Sequence, residues 1–434
     1  MTVWPWWIIS SVVFGLALFF LFLGIPVALA LGIVGVLSAL IFLGKMGIIA
    51  YAAWQTCNSF VLSAIPLFIF MGHIFVNGGL SSSLYDGAAA LVGRFRGRLL
   101  HANIVACAIF AAISGSSVAT AATIGSMAVP ELKKRGYDMK MTLGSVAAGG
   151  TLGILIPPSN CMIIYAVICE VSIGNLFIAG IIPGIALALL FMMYIWFIAK
   201  IRPQVAPRST PVPQKEQLLN ILKMWPTFIL LTVVLGGIYL GIMTPTESAA
   251  VGAVIALGFS LVNKKLTRPI LDKSLTDAMK ATSSLLFIMI GASIIGGTLG
   301  LLRVPNEMSE WVVSLPVSRF VIMGVIYLLY LILGCLIDTV SMMVLTLPVI
   351  FPIILKLGYD PIWFGIVVTV LVEAAMISPP VGFNVFTIHS LFPERPMSEV
   401  FMGSMPFFFI MVLFILVLTV FPDLATWLPS TMAR

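Results

Sequence analysis

Long apolar stretches dominate the chain, and short breaks of glycine, proline or small polar residues punctuate them. Runs near the ~20 residues that a membrane-spanning helix needs fall roughly at 6–23, 26–43, 63–80, 174–199, 224–243, 246–263, 282–302 and 401–421. Two longer runs, 141–169 and 361–392, are interrupted by Pro157-Pro158 and Pro379-Pro380. The pattern predicts an all-α polytopic membrane protein.

Basic residues cluster at Arg94, Arg96 and Arg98, at Lys133, Lys134, Arg135 and Lys140, and along 200–223 and 264–280. A cytoplasmic position for all four clusters satisfies the positive-inside bias. The apolar chain between Arg98 and Lys133 must then leave and return on one side. Leu99–Ile113 and Val118–Val129 are each too short to span at a rise of ~1.5 Å per residue. They predict a re-entrant hairpin, about 99–130, with the polar Ser114-Gly115-Ser116-Ser117 at its tip. Irregular backbone at that depth survives only where it lines a cavity or is buried in protein.

A shift of about 220 residues brings the punctuation into register, in the ordered way that an internal repeat requires. Pro26 falls on Pro245, Phe68-Ile69 on Phe287-Ile288 and Gly72 on Gly291, at an offset of 219. Pro130 falls on Pro352, Gly136-Tyr137-Asp138 on Gly358-Tyr359-Asp360, and Pro157-Pro158 on Pro379-Pro380, at 222, and Pro183 meets Pro406 at 223. Repeat 1 occupies 1–200, a cytoplasmic linker 201–223, and repeat 2 224–425. Each repeat holds five spans and one hairpin, so the second has inverted orientation, as in many secondary transporters. The second hairpin falls at about 320–355 with Gly334 to Val340 at its tip, entering from the periplasm. About ten spans and two hairpins result, with hairpins and broken helices as a transport domain and the outer helices as scaffold.

Composition narrows the class. Hydrophobic residues make up 61% and charged residues 9%, against about 25% charged in a soluble domain; a water-soluble enzyme is excluded. The net charge of +7 follows from cytoplasmic loops and implies no nucleic-acid partner. Five cysteines without CxxC spacing and three dispersed histidines suggest neither a disulfide framework nor a metal cluster. No GxxxxGK[ST] loop is present, so ATP hydrolysis is not expected. The first charged residue is Lys45 and Trp4, Trp6 and Trp7 suit an interfacial belt; the N-terminus reads as a retained helix, not a secretory signal.

The chemistry concentrates at the breaks. Ala147 to Asn160, AAGGTLGILIPPSN, frees main-chain carbonyls, because proline has no amide to donate and clashes with the preceding turn. Such carbonyls and nearby hydroxyls suit a hard cation by analogy with oxygen-ligand sites, while half-helix N-termini suit an anion. Asp338 reads either as a rim residue or, with Thr339, as part of a cation site. Glu373 reads either as a helix-to-helix hydrogen bonder or as a brace for the broken helix. Asn160 and Asn384 carry donors and acceptors for a carboxylate or hydroxyl substrate. Ser114, Ser116 and Ser117 either complete the first site or serve as small packing residues. The candidate substrate contacts are Ser116, Asn160, Thr339 and Asn384.

Ala64 to Gly72 (AIPLFIFMG), Ser114-Gly115-Ser116-Ser117 with Gly125 and Pro130, Gly136-Tyr137-Asp138, the Gly153-to-Pro158 break, Thr244-Pro245-Thr246-Glu247 and Pro379-Pro380-Val381-Gly382 resemble the large membrane subunit of tripartite ATP-independent periplasmic (TRAP) transporters, over essentially the whole chain. The resemblance implies sodium-coupled uptake of an organic acid by an elevator mechanism, multi-pass in a bacterial inner membrane. It implies as partners a periplasmic substrate-binding protein and a small four-helix membrane subunit. It also implies two sodium sites: Ser114, Ser117, Gly153, Ile156 and Pro157 for one, and Gly334, Asp338, Met376, Ser378 and Pro379 for the other. Ser378 stands where the family more often has threonine, which keeps the hydroxyl. The rival readings are a stand-alone sodium-coupled carboxylate transporter and a channel.

Overall fold

A computed structural model of the chain describes residues 4–93, 95–207 and 213–432; Arg94 of the first basic cluster and residues 208–212 of the linker lie outside the described residues. Helices alone make up the regular structure of the described residues. The first half contains α1 Trp6–Phe22, α2 Val27–Ser38 with a π-helical turn Ala39–Leu43, α3 Gly47–Cys57, α4 Ala64–Asn77 and α5 Leu80–Val92. Then follow α6 Leu99–Ser114, α7 Ser117–Lys134, α8 Met139–Gly150, α9 Asn160–Cys169 and α10 Ile173–Ile201. The second half contains α11 Gln214–Leu222, α12 Trp225–Tyr239, α13 Pro245–Val262, α14 Arg268–Leu301 and α15 Val304–Ser314. It continues with α16 Arg319–Gly334, α17 Thr339–Lys356, α18 Pro361–Ala375, α19 Phe383–Leu391, α20 Met397–Val420 and α21 Asp423–Ser430.

The repeat is carried by helix boundaries as well as by motifs. α1 and α12 begin 219 positions apart, at Trp6 and Trp225; α8 and α18 begin 222 apart, at Met139 and Pro361. The Gly-Tyr-Asp motif explains part of this register. Gly136 and Gly358 take the left-handed conformation, with φ of 71° and 78°, which ends α7 and α17 at no side-chain cost. The tyrosine amides reach back to Leu132 and Ile354 carbonyls at 3.1 and 3.2 Å. Asp138 and Asp360 then cap the next helices, accepting from the Met141 and Trp363 amides at 2.7 and 2.8 Å. One tripeptide therefore stops a hairpin arm and starts a broken helix, twice.

Packing crosses between the halves in matched pairs. α2 packs on α14 and α4 on α13; α9 packs on α17 and α19 on α7. α18, apolar on every side, is buried throughout from Trp363 to Ala375, as such a helix must be. α16 buries one side through Ile322, Met323, Ile326 and Tyr330 and leaves Phe320, Val325, Leu328 and Ile332 exposed, a face suited to lipid.

Two hairpins, α6–α7 and α16–α17, stand beside ten spans formed by α1, α2, the bent pair α3–α4, α8–α9, α10 and their second-half equivalents. The first hairpin turns at Gly115 and Ser116, the second between Cys335 and Asp338. α17 runs 18 residues and is by length and composition alone able to cross a membrane, longer than the 341–355 arm that the apolar run suggested. Its tip nevertheless ends beside the second break, as the first tip ends beside the first. α14 also starts earlier than the apolar run at 282, because its first turns carry Arg268, Asp272, Lys273, Asp277 and Lys280. α3, α5, α11, α15 and α21 lay below the length or apolarity that marks a span.

Candidate functional site

The first hairpin tip is organised by its own hydroxyls. Ser116 caps α7 by accepting the Ala119 amide at 3.4 Å, and the Thr120 hydroxyl donates to the Ser116 carbonyl at 2.8 Å. The Ser114 and Thr120 hydroxyls are 2.9 Å apart. The tip rests on the first break, a 3-10 turn over Thr151–Gly153 followed by non-helical chain to Ser159, which caps α9. The Asn160 amide reaches the Gly115 carbonyl at 3.5 Å. A Cβ on Gly153 would lie 2.6 Å from the Ser117 Cα and 2.7 Å from the Ser116 carbonyl oxygen. Only glycine permits this approach.

Glu373, from the second repeat, joins the two. Its Oε1 accepts the Ser117 hydroxyl and, at 3.1 Å, the Ile154 amide. The side chain is 0% exposed. Both readings of Glu373 describe a contact: it accepts from Ser117 of α7 as a helix-to-helix hydrogen bonder and from Ile154 as a brace, although the break it braces belongs to the opposite repeat.

At the second tip Asp338 caps α17. Its Oδ2 accepts the Val340 and Ser341 amides at 3.1 and 3.2 Å, and its Oδ1 accepts the Ser341 hydroxyl. Cys335 Sγ and Ser378 Oγ lie 3.1 Å apart, and the Thr339 hydroxyl donates to Met376 Sδ at 3.2 Å. The second break is held by the Asn384 amide, which donates to the Met376 carbonyl at 3.1 Å, and by the Ser378 hydroxyl, which donates to the Ala375 carbonyl at 3.1 Å. Gly334 packs its backbone against Ala375. Both prolyl bonds, Pro157-Pro158 and Pro379-Pro380, are cis.

Both tips face one cavity of about 710 Å³. Ser114, Ser116, Ser117, Asn160, Asp338, Thr339 and Met376 line it, opposite Pro26 and Val27 at the start of α2, Ile69 on α4 and Ala281, Ser284 and Ile288 on α14. Gly153, Ile156, Pro157, Gly334, Ser378, Pro379 and Asn384 do not line it; Gly334 ends α16 at the second tip, Asn384 lies in the first turn of α19, and the others sit in the two breaks. Asn384 is buried, its side-chain amide donating to the Ala147 carbonyl at 3.3 Å. His73, Thr123 and Ser284 also line the cavity and were not singled out from the sequence, because each lies inside an ordinary helix away from any break or tip. His73 lies in the first turn after the Ala64-to-Gly72 stretch, and only its position relative to Gly72, which abuts Ser114, marks it.

Two hairpin tips meeting two broken helices around one cavity define a transporter of inverted-repeat build. The fold is similar to that of the solved YdaH transporter of Alcanivorax borkumensis, with a TM-score of 0.63 at 16% identity over 89% of this chain and 90% of that one. The family model described as tripartite ATP-independent periplasmic transporter, DctM component, matches residues 14–424. The C4-dicarboxylate TRAP transporter large permease protein DctM of Pseudomonas aeruginosa is 36% identical over 403 residues, 92% of this chain and 94% of that protein. The isethionate TRAP transporter permease protein DctMQ of Oleidesulfovibrio alaskensis is 35% identical over 381 residues, 86% of this chain and 59% of that protein. The chain belongs to the DctM family, the large permease subunits of TRAP transporters.

Proposed function

We propose that the chain carries a small organic acid, released by a periplasmic substrate-binding protein, across a bacterial inner membrane in symport with sodium. The observation that carries this reading is the convergence of both hairpin tips on one cavity whose far wall is built by α2, α4 and α14. Hairpins and broken helices form the transport domain, and the outer helices form the scaffold past which it slides as an elevator. A cavity at that seam travels with the tips and changes the side on which it opens.

The chemistry of the lining supports an anion with a coupled cation. The N-terminal turns of α7 and α9 present Ser116 and Asn160 to the cavity, and helix N-termini favour a carboxylate. Sodium is assigned to the two junctions behind the tips. The carbonyls of Gly153 and Ile154 cannot receive helical bonds from residues 157 and 158, which are prolines; Ser114, Ser117 and Ile156 add hydroxyl and carbonyl oxygens. At the second junction the candidate ligands are the Met376 carbonyl, the Ser378 hydroxyl, which lies beside Cys335 of the tip, and the Asp338 carboxylate.

The test is uptake of a labelled organic acid by proteoliposomes that contain the full system, driven by a sodium gradient. Uptake should collapse when potassium replaces sodium. Ser117→Ala, which removes one oxygen ligand, should raise the sodium concentration for half-maximal uptake about tenfold, the equivalent of ~1.4 kcal/mol. Uptake indifferent to sodium would overturn the assignment.

A further inference from the structure

We propose that Glu373 supplies the anionic oxygen of the cation site at the first tip-and-break junction, so that this site is built from both repeats. The inference rests on the sodium-coupled reading above. Glu373 Oε1 accepts two donors, the Ser117 hydroxyl and the Ile154 amide at 3.1 Å, an arrangement that suits a charged carboxylate. Its Oε2 is buried without a hydrogen-bond partner. None of the ion pairs among the described residues includes Glu373. A carboxylate inside a membrane is costly unless it is paired, and buried polar atoms are nearly always satisfied. Oε2 therefore calls for either a proton or a bound cation, and the oxygen ligands around it decide for the cation.

The surroundings fit a hard monovalent cation. Ser117 donates its proton to Glu373 and keeps oxygen lone pairs for an ion. Gly153 and Ile154 carry the carbonyls that the two prolines deprive of helical donors. Oxygen-only ligands of this kind suit a hard ion. The repeat sharpens the case through its asymmetry. The position that corresponds to Glu373 is Thr151, whose hydroxyl turns back to the Ala148 carbonyl of its own helix at 2.6 Å. Asp338, the acid at the second tip, comes from that tip itself and is engaged in capping α17. Charge thus crosses between repeats at the first junction only, and an ion there ties the first tip to the broken helix of the second repeat.

Thermal unfolding of the full chain in detergent, with sodium titrated against choline at constant ionic strength, tests this. Glu373→Gln keeps the shape and the acceptor for both donors and removes the charge. The parent should gain stability on sodium addition. The variant should unfold near the parental temperature without sodium and need at least tenfold more sodium for half of the shift. Parental sodium dependence in Glu373→Gln would overturn the role of Glu373 and leave sodium coupling standing. A parent without any sodium-dependent shift would remove the sodium reading, and this inference with it. Should Glu373→Gln fail to fold, Glu373→Asp retains the charge one methylene further back; a raised sodium requirement supports the assignment and an unchanged one overturns it.

Discussion

Gly153 has no room for a methyl group, and the atoms that crowd it are backbone atoms of Ser116 and Ser117. They cannot swing aside as a flexible side chain would, so Gly153→Ala must lift the first tip from the first break. Overpacking of this kind costs about 1–3 kcal/mol, and a lower melting temperature with impaired uptake is the expected result. Gly324→Ala is the control: no atom lies within 4 Å of its added Cβ, and it sits inside α16, where alanine is favoured by up to about 1 kcal/mol. Equal melting temperatures for the two variants would contradict the packing account. Asp338 separates capping from charge in the same way. Asp338→Asn keeps an N-cap acceptor, whereas Asp338→Ala loses about 0.5–2 kcal/mol of helix capping. Sodium titrations of uptake should place both variants at higher half-maximal sodium, with only Asp338→Ala also less stable; parental sodium dependence in Asp338→Asn would restrict the residue to capping.

At the scale of elements, the hairpins carry the topology. If α6–α7 is re-entrant from the cytoplasm and α16–α17 from the periplasm, as the basic clusters suggest, the bases of the two hairpins lie on opposite faces. Among the native cysteines Cys57 is exposed and Cys335 half-buried, while Cys107, Cys161 and Cys169 are buried. Replacing the first two therefore suffices as a background for impermeant thiol reagents. Cysteines at Arg96 and Lys133 should label from the cytoplasm, and cysteines at Arg319 and Lys356 from the periplasm. A pair split between the two faces would turn that hairpin into two crossings. The hairpins, breaks and repeat were legible in the sequence because each leaves a mark that apolar periodicity cannot erase: a polar tip, adjacent prolines, or the Gly-Tyr-Asp stop and start. α5 and α15 were not legible. They are short and amphipathic, with polar positions such as Ser82, Asp86, Glu307 and Glu310, and are held by tertiary packing, α5 chiefly on α6 and α11, and α15 chiefly on α17. Glu373 stood out as a carboxylate in an apolar run, but its partners Ser117 and Ile154 lie in the other repeat, and no local spacing reports such a contact.

The whole molecule poses a mechanical problem that points to partners. The proposed elevator needs a scaffold held firm while the transport domain slides, and two of the outer helices are short. α1 has 17 residues and α12 has 15, or about 26 and 23 Å at ~1.5 Å per residue, against a hydrocarbon core of about 30 Å. Short helices thin the bilayer or recruit neighbours. Their outer faces are apolar, with Phe19 and Phe22 exposed on α1 and Phe228 and Ile229 on α12, so a small helical subunit packed on them would both lengthen and stiffen the scaffold. The described loops between helices are short, and none forms a domain able to capture substrate at low concentration. A soluble donor that docks across scaffold and transport domain would supply that capture. Proteoliposomes that contain this chain alone, given free organic acid and a sodium gradient, should therefore show negligible uptake. Addition of the small membrane subunit together with a loaded periplasmic binding protein should restore it, and addition of either one singly should not. Robust uptake by the lone chain would instead favour a stand-alone sodium-coupled carboxylate transporter.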